Sequence, residues 1–115
     1  MTNNKRIGDL GEQLAADYLE KKGYIILARN FRTPYGELDI IAQESETLVF
    51  VEVKTRSTSR CGTGFEAITQ KKQATLLKCA DYYAQLHGVS CDMRIDAVEI
   101  MLDTRKLTHL KGAVN

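Results

Sequence analysis

Gly36-Glu37-Leu38-Asp39-Ile40-Ile41-Ala42-Gln43-Glu44-Ser45-Glu46-Thr47-Leu48-Val49-Phe50-Val51-Glu52-Val53-Lys54-Thr55-Arg56 is the stretch on which the fold turns. Thr47 to Thr55 alternates well and Glu37 to Gln43 imperfectly, and the polar Glu44-Ser45-Glu46 between them reads as the tip of an antiparallel hairpin. Strand residues alternate faces, so Val49, Val51, Val53 and Thr55 form a core row while Leu48, Phe50, Glu52 and Lys54 share the other side. With Ser45-Glu46 at the tip, Ile41 is expected to pair with Phe50, Asp39 with Glu52 and Glu37 with Lys54. Directly opposed side chains stand roughly 5 Å apart at Cβ, and two carboxylates held there repel unless a cation lies between them. Magnesium suits that place, because it prefers oxygen ligands, keeps several waters and takes one or two protein carboxylates. Lys54, one pleat beyond Glu52, is then placed to stabilise negative charge developing on a phosphate. Glu37 reads equally as a third ligand and as the partner of Lys54.

Outward from the hairpin, Lys5 to Lys22 carries a helical period whose expected buried arc contains Ile7, Leu10, Gly11, Leu14, Ala15, Tyr18 and Leu19. Gly8, Gly11 and Ala15 sit near its middle, where small residues let a helix lie close against a sheet although each Gly costs about 1 kcal/mol of helix propensity. Glu12 falls at the edge of the arc and reads equally as a partly buried site carboxylate and as an acid favoured by the helix dipole. Tyr24 to Arg29 is expected as a strand and Asn30 to Tyr35 as a connection containing the only proline, Pro34. Thr69 to His87 is a second helix with Thr69 as N-cap and Gly88 as its stop. Met93 to Leu102 is a fourth strand, expected parallel to the third, and Lys106 to Lys111 a short edge strand. The order helix, three strands, helix, strand implies a mixed central sheet flanked by helices, and 115 residues fit one domain, 1–115.

Composition limits the function classes. The chain has 16 Lys+Arg against 15 Asp+Glu, so no global positive field draws in a polyanion. The neutrality is a cancellation, however. Glu37 to Glu52 carries five acids and no base, whereas Val53 to Ala80 carries six bases and one acid. Arg56, Arg60, Lys71 and Lys72 in that second segment are the candidate contacts to a nucleic-acid backbone, following directly on an acidic hairpin able to hold a metal. The longest apolar run, Tyr24 to Ala28, is far short of the ~20 residues a membrane span needs. No targeting signal is visible, and three cysteines without a C-x-x-C pair fit reduced thiols, so the cytoplasm is the expected compartment.

At these residues the sequence resembles a known group. Gly36-Glu37-Leu38-Asp39-Ile40-Ile41 followed by Val49-Phe50-Val51-Glu52-Val53-Lys54-Thr55-Arg56 looks like the PD-(D/E)XK nuclease superfamily, which includes restriction endonucleases and archaeal Holliday-junction resolvases. That group has an αβββαβ restriction endonuclease-like core, the order read above. The Gly8-x-x-Gly11-Glu12 start, the Gly-Glu-Leu-Asp hairpin, the Phe-Val-Glu-Val-Lys strand and Ile68-Thr69-Gln70-Lys71-Lys72-Gln73 resemble the small YraN-like family of uncharacterised bacterial proteins over nearly the whole chain. The resemblance implies Asp39 and Glu52 as metal ligands, the Val53 backbone carbonyl as a further ligand, Lys54 as the catalytic lysine and Glu12 as an additional catalytic carboxylate. Leu38 stands where the namesake motif has proline, a replacement common among resolvase-like members.

The expected function is a magnesium-dependent endonuclease, with manganese as substitute, that hydrolyses phosphodiester bonds of DNA rather than RNA and acts on branched or structured substrates. A homodimer is expected, because a small enzyme cutting two strands needs two sites. Two other readings stand beside it. A non-catalytic nucleic-acid-binding module would depend on Arg56, Arg60, Lys71 and Lys72 and not on Asp39, and a protein-interaction scaffold would use exposed sheet edges.

Overall fold

A computed structural model describes residues 4–58 and 69–114. Its elements are α1 (Asn4–Lys21), β1 (Ile25–Thr33), β2 (Gly36–Glu44), β3 (Thr47–Arg56), α2 (Gln70–Leu86), β4 (Met93–Met101) and β5 (Lys106–Val114). The strands form one five-stranded sheet in the order β1-β2-β3-β4-β5. Only β3 and β4 run parallel, joined through α2, and the other neighbours are antiparallel. This is the mixed sheet with flanking helices expected from the sequence, extended by a full β5 strand of nine residues where a short edge strand was expected.

The two helices cover opposite faces. Ala15, Ala16 and Leu19 of α1 pack with Ile40, Ala42, Val49, Val51, Val98 and Ile100. Leu76, Cys79, Ala80 and Tyr83 of α2 pack with Leu38, Ile41, Leu48, Phe50 and Ile95. The β3 alternation therefore holds as read. β2 does not alternate throughout: Leu38 and Ile41, three residues apart, share the α2 face, while Ile40 lies under α1. Period 2 would put residues three apart on opposite faces, so the pleat is interrupted at Asp39.

The interruption has a counterpart on β1. Asn30 stands across from Asp39, between the Arg29–Ile40 and Phe31–Leu38 pairs, and adopts a left-handed backbone with φ 52°, a conformation that asparagine tolerates better than most residues. This one residue lets β1 run on to Thr33 instead of ending at Arg29, which corrects the expected connection over 30–35. Phe31 then packs edge-on against Tyr83, with ring centroids 5.2 Å apart. The remaining turn is held by the Thr33 hydroxyl, which accepts from the Tyr35 and Gly36 N–H groups and donates to the Gly36 carbonyl.

The buried face of α1 is rotated from the expected arc. Leu10 and Leu14 are 48% and 39% exposed and line a groove with Leu102 and Leu107, and the contact with the sheet runs through Gly11, Ala15, Ala16 and Leu19. Gly11 lies so close to β3 that a Cβ there would fall on the Thr55 hydroxyl, whereas one at Gly8 would meet nothing. Close approach repays the propensity cost at Gly11 only, and it draws the next residue, Glu12, toward β3.

Candidate active site between the diverging strands

The β2–β3 ladder keeps the expected register from Glu44–Thr47 through Ile41–Phe50 to Ile40–Val51, and there it stops. The expected pairs Asp39–Glu52 and Glu37–Lys54 are not formed as ladder pairs. Instead the Asp39 carboxylate enters the ladder: the Val53 N–H donates to its Oδ2 at 2.8 Å. A side-chain acceptor thus replaces a main-chain carbonyl and ties the two strands at the point where they part. Glu37 pairs across the other hairpin, where its Oε2 lies 3.5 Å from Arg32 Nε, which removes it as the partner of Lys54.

Glu52 occupies the β3 side of this gap. Its Oε1 lies 3.3 Å from the Lys72 ammonium, from the first turn of α2, and its Oε2 is buried without a hydrogen-bond partner among the described residues. Thr69 caps α2 as expected, its hydroxyl accepting from the Lys72 N–H at 3.1 Å, and this fixes the turn that carries Lys72. Glu12 arrives from α1, and its Oε1 is likewise buried and unpartnered. A buried polar atom without a partner is uncommon and costs about 1–3 kcal/mol when neutral, more when charged.

The electrostatics agree with the geometry. Burial, and next the charge of Asp39, push the Glu52 carboxyl up to about 7. Burial also raises Asp39, against the pull of the Val53 N–H and Lys72. Glu12 is raised by burial and by Asp39, with Arg29 and the Asn30 amide pulling the other way. Glu12, Asp39 and Glu52 therefore sense one another at one place in the sheet, with Lys72 the cation facing Asp39 and Glu52. Clusters of carboxyls shifted by burial and by each other are characteristic of functional sites.

The two orphaned oxygens fit a divalent ion in their donor chemistry, since each is an anionic oxygen that nothing else satisfies. Among the described residues, no three Asp, Glu, His or Cys side chains close on one point as a preformed cage. Asp39 and Glu52 would hold such an ion, with the Val53 carbonyl next to Glu52 on β3.

Lys54 shares the α2 face with Glu52, is exposed, and has no ion-pair partner among the described residues. Its in-register neighbour on β4 is Glu99. Glu99 is only 2% exposed and takes Arg56 as its partner, with Nε 3.4 Å from Oε2. The sequence reading missed Glu99; the signal was available in the parallel β3–β4 pairing, which sets it against Lys54, two residues before Arg56. Of the four bases singled out, Arg56 is thus held against a buried acid, Lys72 against Glu52, Lys71 is exposed on the first turn of α2, and Arg60 lies outside the described residues.

A second polar cluster lies under the C-terminal half of α1, away from this gap. Asp96, fully buried, accepts two bonds from Arg94 at 2.7 and 3.0 Å, one from the Gly112 N–H at 3.0 Å, and lies 2.8 Å from His109 Nε2. Tyr18 Oη is 3.0 Å from the other His109 nitrogen, and Arg94 also donates to Tyr24. Every Asp96 oxygen is satisfied, so this network ties β4, β5 and α1 together and leaves nothing for a ligand.

Residues 11–100 match the family described as "Uncharacterised protein family UPF0102". Among individual relatives, a UPF0102 protein of Alkaliphilus oremlandii is 45% identical over 115 residues, covering 96% of this chain and 98% of the relative. One from Caldicellulosiruptor bescii is 48% identical over 118 residues with the same coverage, and one from Mycolicibacterium vanbaalenii is 46% identical over 110, covering 92% and 91%. Among solved structures, Pyrococcus furiosus SfsA in complex with Ca2+ is similar at 14% identity and a TM-score of 0.40, over 98% of this chain and 65% of that one. No helix among the described residues is long and apolar enough to cross a membrane.

Proposed function

The chain belongs to the UPF0102, or YraN-like, family, whose fold is that of the PD-(D/E)XK nucleases, and we propose that it is a metal-dependent endonuclease that hydrolyses phosphodiester bonds of DNA. The observation that carries the reading is the pair of buried, unpartnered carboxylate oxygens on Glu12 and Glu52, either side of an Asp39 whose carboxylate is pinned by the Val53 N–H.

The roles follow from position. Asp39 and Glu52 hold magnesium, for which manganese substitutes, and Glu12 provides a further anionic oxygen from the α1 side. When bound, the ion supplies Lewis-acid assistance at a phosphate oxygen. Lys54, two residues after Glu52 on β3 and without an ion-pair partner among the described residues, stabilises negative charge as it develops on the phosphate. Arg56, steadied by Glu99, and Lys71, on the first turn of α2, lie on the side from which a sugar-phosphate backbone approaches, and they set its register without reading sequence. Arg60 is proposed as a further contact, and a homodimer would set two such sites against two strands.

The test is cleavage of linear duplex, single-stranded and four-way-junction DNA, with RNA in parallel, in magnesium and in manganese. Asp39→Asn, Glu52→Gln and Lys54→Ala are each expected to abolish cleavage while cooperative unfolding is retained. Absence of cleavage on every substrate in both metals would refute the reading, and salt-sensitive binding that persists without metal would replace it with a non-catalytic nucleic-acid-binding protein.

A further inference from the structure

Lys72 stands out among the bases because of where its charge goes. The first turn of α2 contains Lys71 and Lys72 and no acid, although positive charge at a helix N-terminus opposes the dipole. Lys72 is compensated from outside its helix, by Glu52 on β3, while Lys71 has no such partner among the described residues. Among the described residues Lys72 is also the sole base in an ion pair with any of the three site carboxylates: Arg56 is engaged by Glu99, Arg32 by Glu37, Lys54 makes no ion pair, and Arg29, which acts on Glu12 through its charge, donates to Gln13.

Its grip is partial. Lys72 takes Oε1 of Glu52 and leaves Oε2 orphaned, and its own side chain is 45% exposed, which leaves it room to swing out. A divalent ion taken up between Glu52 and Asp39 would set two positive charges against that ammonium. At a few ångströms and partial burial such repulsion is not screened away, so the ion and Lys72 compete for the same carboxylate.

We propose, resting on the metal-site reading above, that Lys72 is the resident counter-cation of the site: its ammonium holds Glu52 in place until a divalent ion takes up that carboxylate and displaces it from Glu52. The two are then negatively coupled, and by linkage each weakens the other's hold by the same factor. The displaced ammonium remains at the mouth of the site, where a phosphate oxygen is its next partner, so Lys72 is tied to Glu52 without metal and available to the backbone with it.

The experiment is a manganese titration of the whole protein without nucleic acid, followed by calorimetry and by the electron paramagnetic resonance signal of free ion, at pH 8.5 so that Glu52 is ionised throughout. Lys72→Met removes the charge but keeps the backbone N–H that Thr69 caps, so α2 starts as before; Lys72→Gln is a second variant of the same kind. Both are expected to bind manganese about tenfold more tightly than wild type. Lys71→Met, which removes an equal charge one residue away, should stay within about twofold, and Lys72→Arg should restore the weaker wild-type affinity. Tightening by Lys71→Met as large as by Lys72→Met would overturn the proposal, as would Lys72 variants that bind no better than wild type while wild type binds. If neither wild type nor any Lys72 variant binds manganese, the metal-site reading itself falls and takes this one with it.

Discussion

Glu52→Gln should make the protein more stable at pH 8 and leave it nearly unchanged at pH 4. The carboxyl is pushed from its ordinary 4.5 up to about 7, first by burial and then by Asp39. At ~1.36 kcal/mol per pH unit, that displacement corresponds to roughly 3 kcal/mol between the two protonation states. The sign follows from proton uptake. Between about 4.5 and 7 the folded chain holds a proton at Glu52 that the unfolded chain has lost, so this contribution to stability is complete below about 4.5 and is lost as pH rises through about 7. Glutamine stays neutral throughout. The difference between variant and wild type should therefore grow from near zero at pH 4 to roughly 2–3 kcal/mol at pH 8, the lower figure allowing for the 18% of the side chain that water still reaches. Losing the bond to Lys72 offsets little, since that ammonium is nearly half exposed. Urea unfolding in a chelating buffer at both pH values measures it, with unchanged m-values as the check on cooperativity. Magnesium should then raise wild type at pH 8 and leave the variant where it is. A variant less stable than wild type at pH 8 would refute the reasoning, because the ionised Glu52 would then be a favourable interaction and not a charge held at a cost for an ion.

Gly11→Ala should destabilise by about 1–3 kcal/mol, because the new methyl falls on the Thr55 hydroxyl and overpacking outweighs the gain in helix propensity. Gly8→Ala, with nothing near it, should stabilise by roughly 0.5–1 kcal/mol, so the two thermal melts should move in opposite directions. Asp96→Asn should cost about 1.5–3 kcal/mol by replacing the buried anionic acceptor of Arg94, His109 and the Gly112 N–H with a neutral one, while Arg94 keeps its ion pair with Glu44 at 3.0 Å, read as a melting temperature roughly 5–15 °C lower. Burial alone would raise the Asp96 carboxyl, but the bonds from His109, Arg94 and the Gly112 N–H outweigh it and hold it at about 2. Its contribution is therefore present above about 3.8 and lost as wild type is acidified toward 2, a loss that the Asn variant should not show.

Some of this arrangement was legible in the sequence because local rules and tertiary packing point the same way. The row Val49, Val51, Val53, Thr55 faces α1 because period 2 is maintained along β3, and Ser45, with φ 52°, makes a tip short enough to set Ile41 against Phe50. The parallel β4 followed from one helix between two strands of the same sheet. What was not legible depends on residues distant in the chain. A hydrophobic arc ranks Leu10 and Leu14 above Gly11, whereas the structure selects the residue that allows closest approach to Thr55. Arg94, Asp96 and His109 are ordinary charges on strands until β5 runs its full length and buries them together. The end of the ladder at Asp39 lies across β2 from the left-handed backbone of Asn30, nine residues earlier, a juxtaposition that no local pattern announces.

That fraying separates a working site from a mere coincidence of charge. Had the ladder continued in register, Asp39 and Glu52 would point to one face of a closed sheet, about 5 Å apart, with the α1 face shut off by backbone bonds. Glu12 would then have no route to them. Because the ladder ends at Ile40–Val51 and Asp39 takes the Val53 N–H itself, the strands part while still tied. At the end of the ladder Glu12 of α1 acts on Asp39 and Glu52 through its charge, and Lys72 of α2 pairs with Glu52. The main-chain bonds given up are partly replaced by one charge-assisted bond to Asp39, and in exchange carboxylates from three separate elements share one field. Near-neutral composition conceals this, since the acids of the hairpin and the bases of α2 cancel in the sum while standing against each other at Glu52.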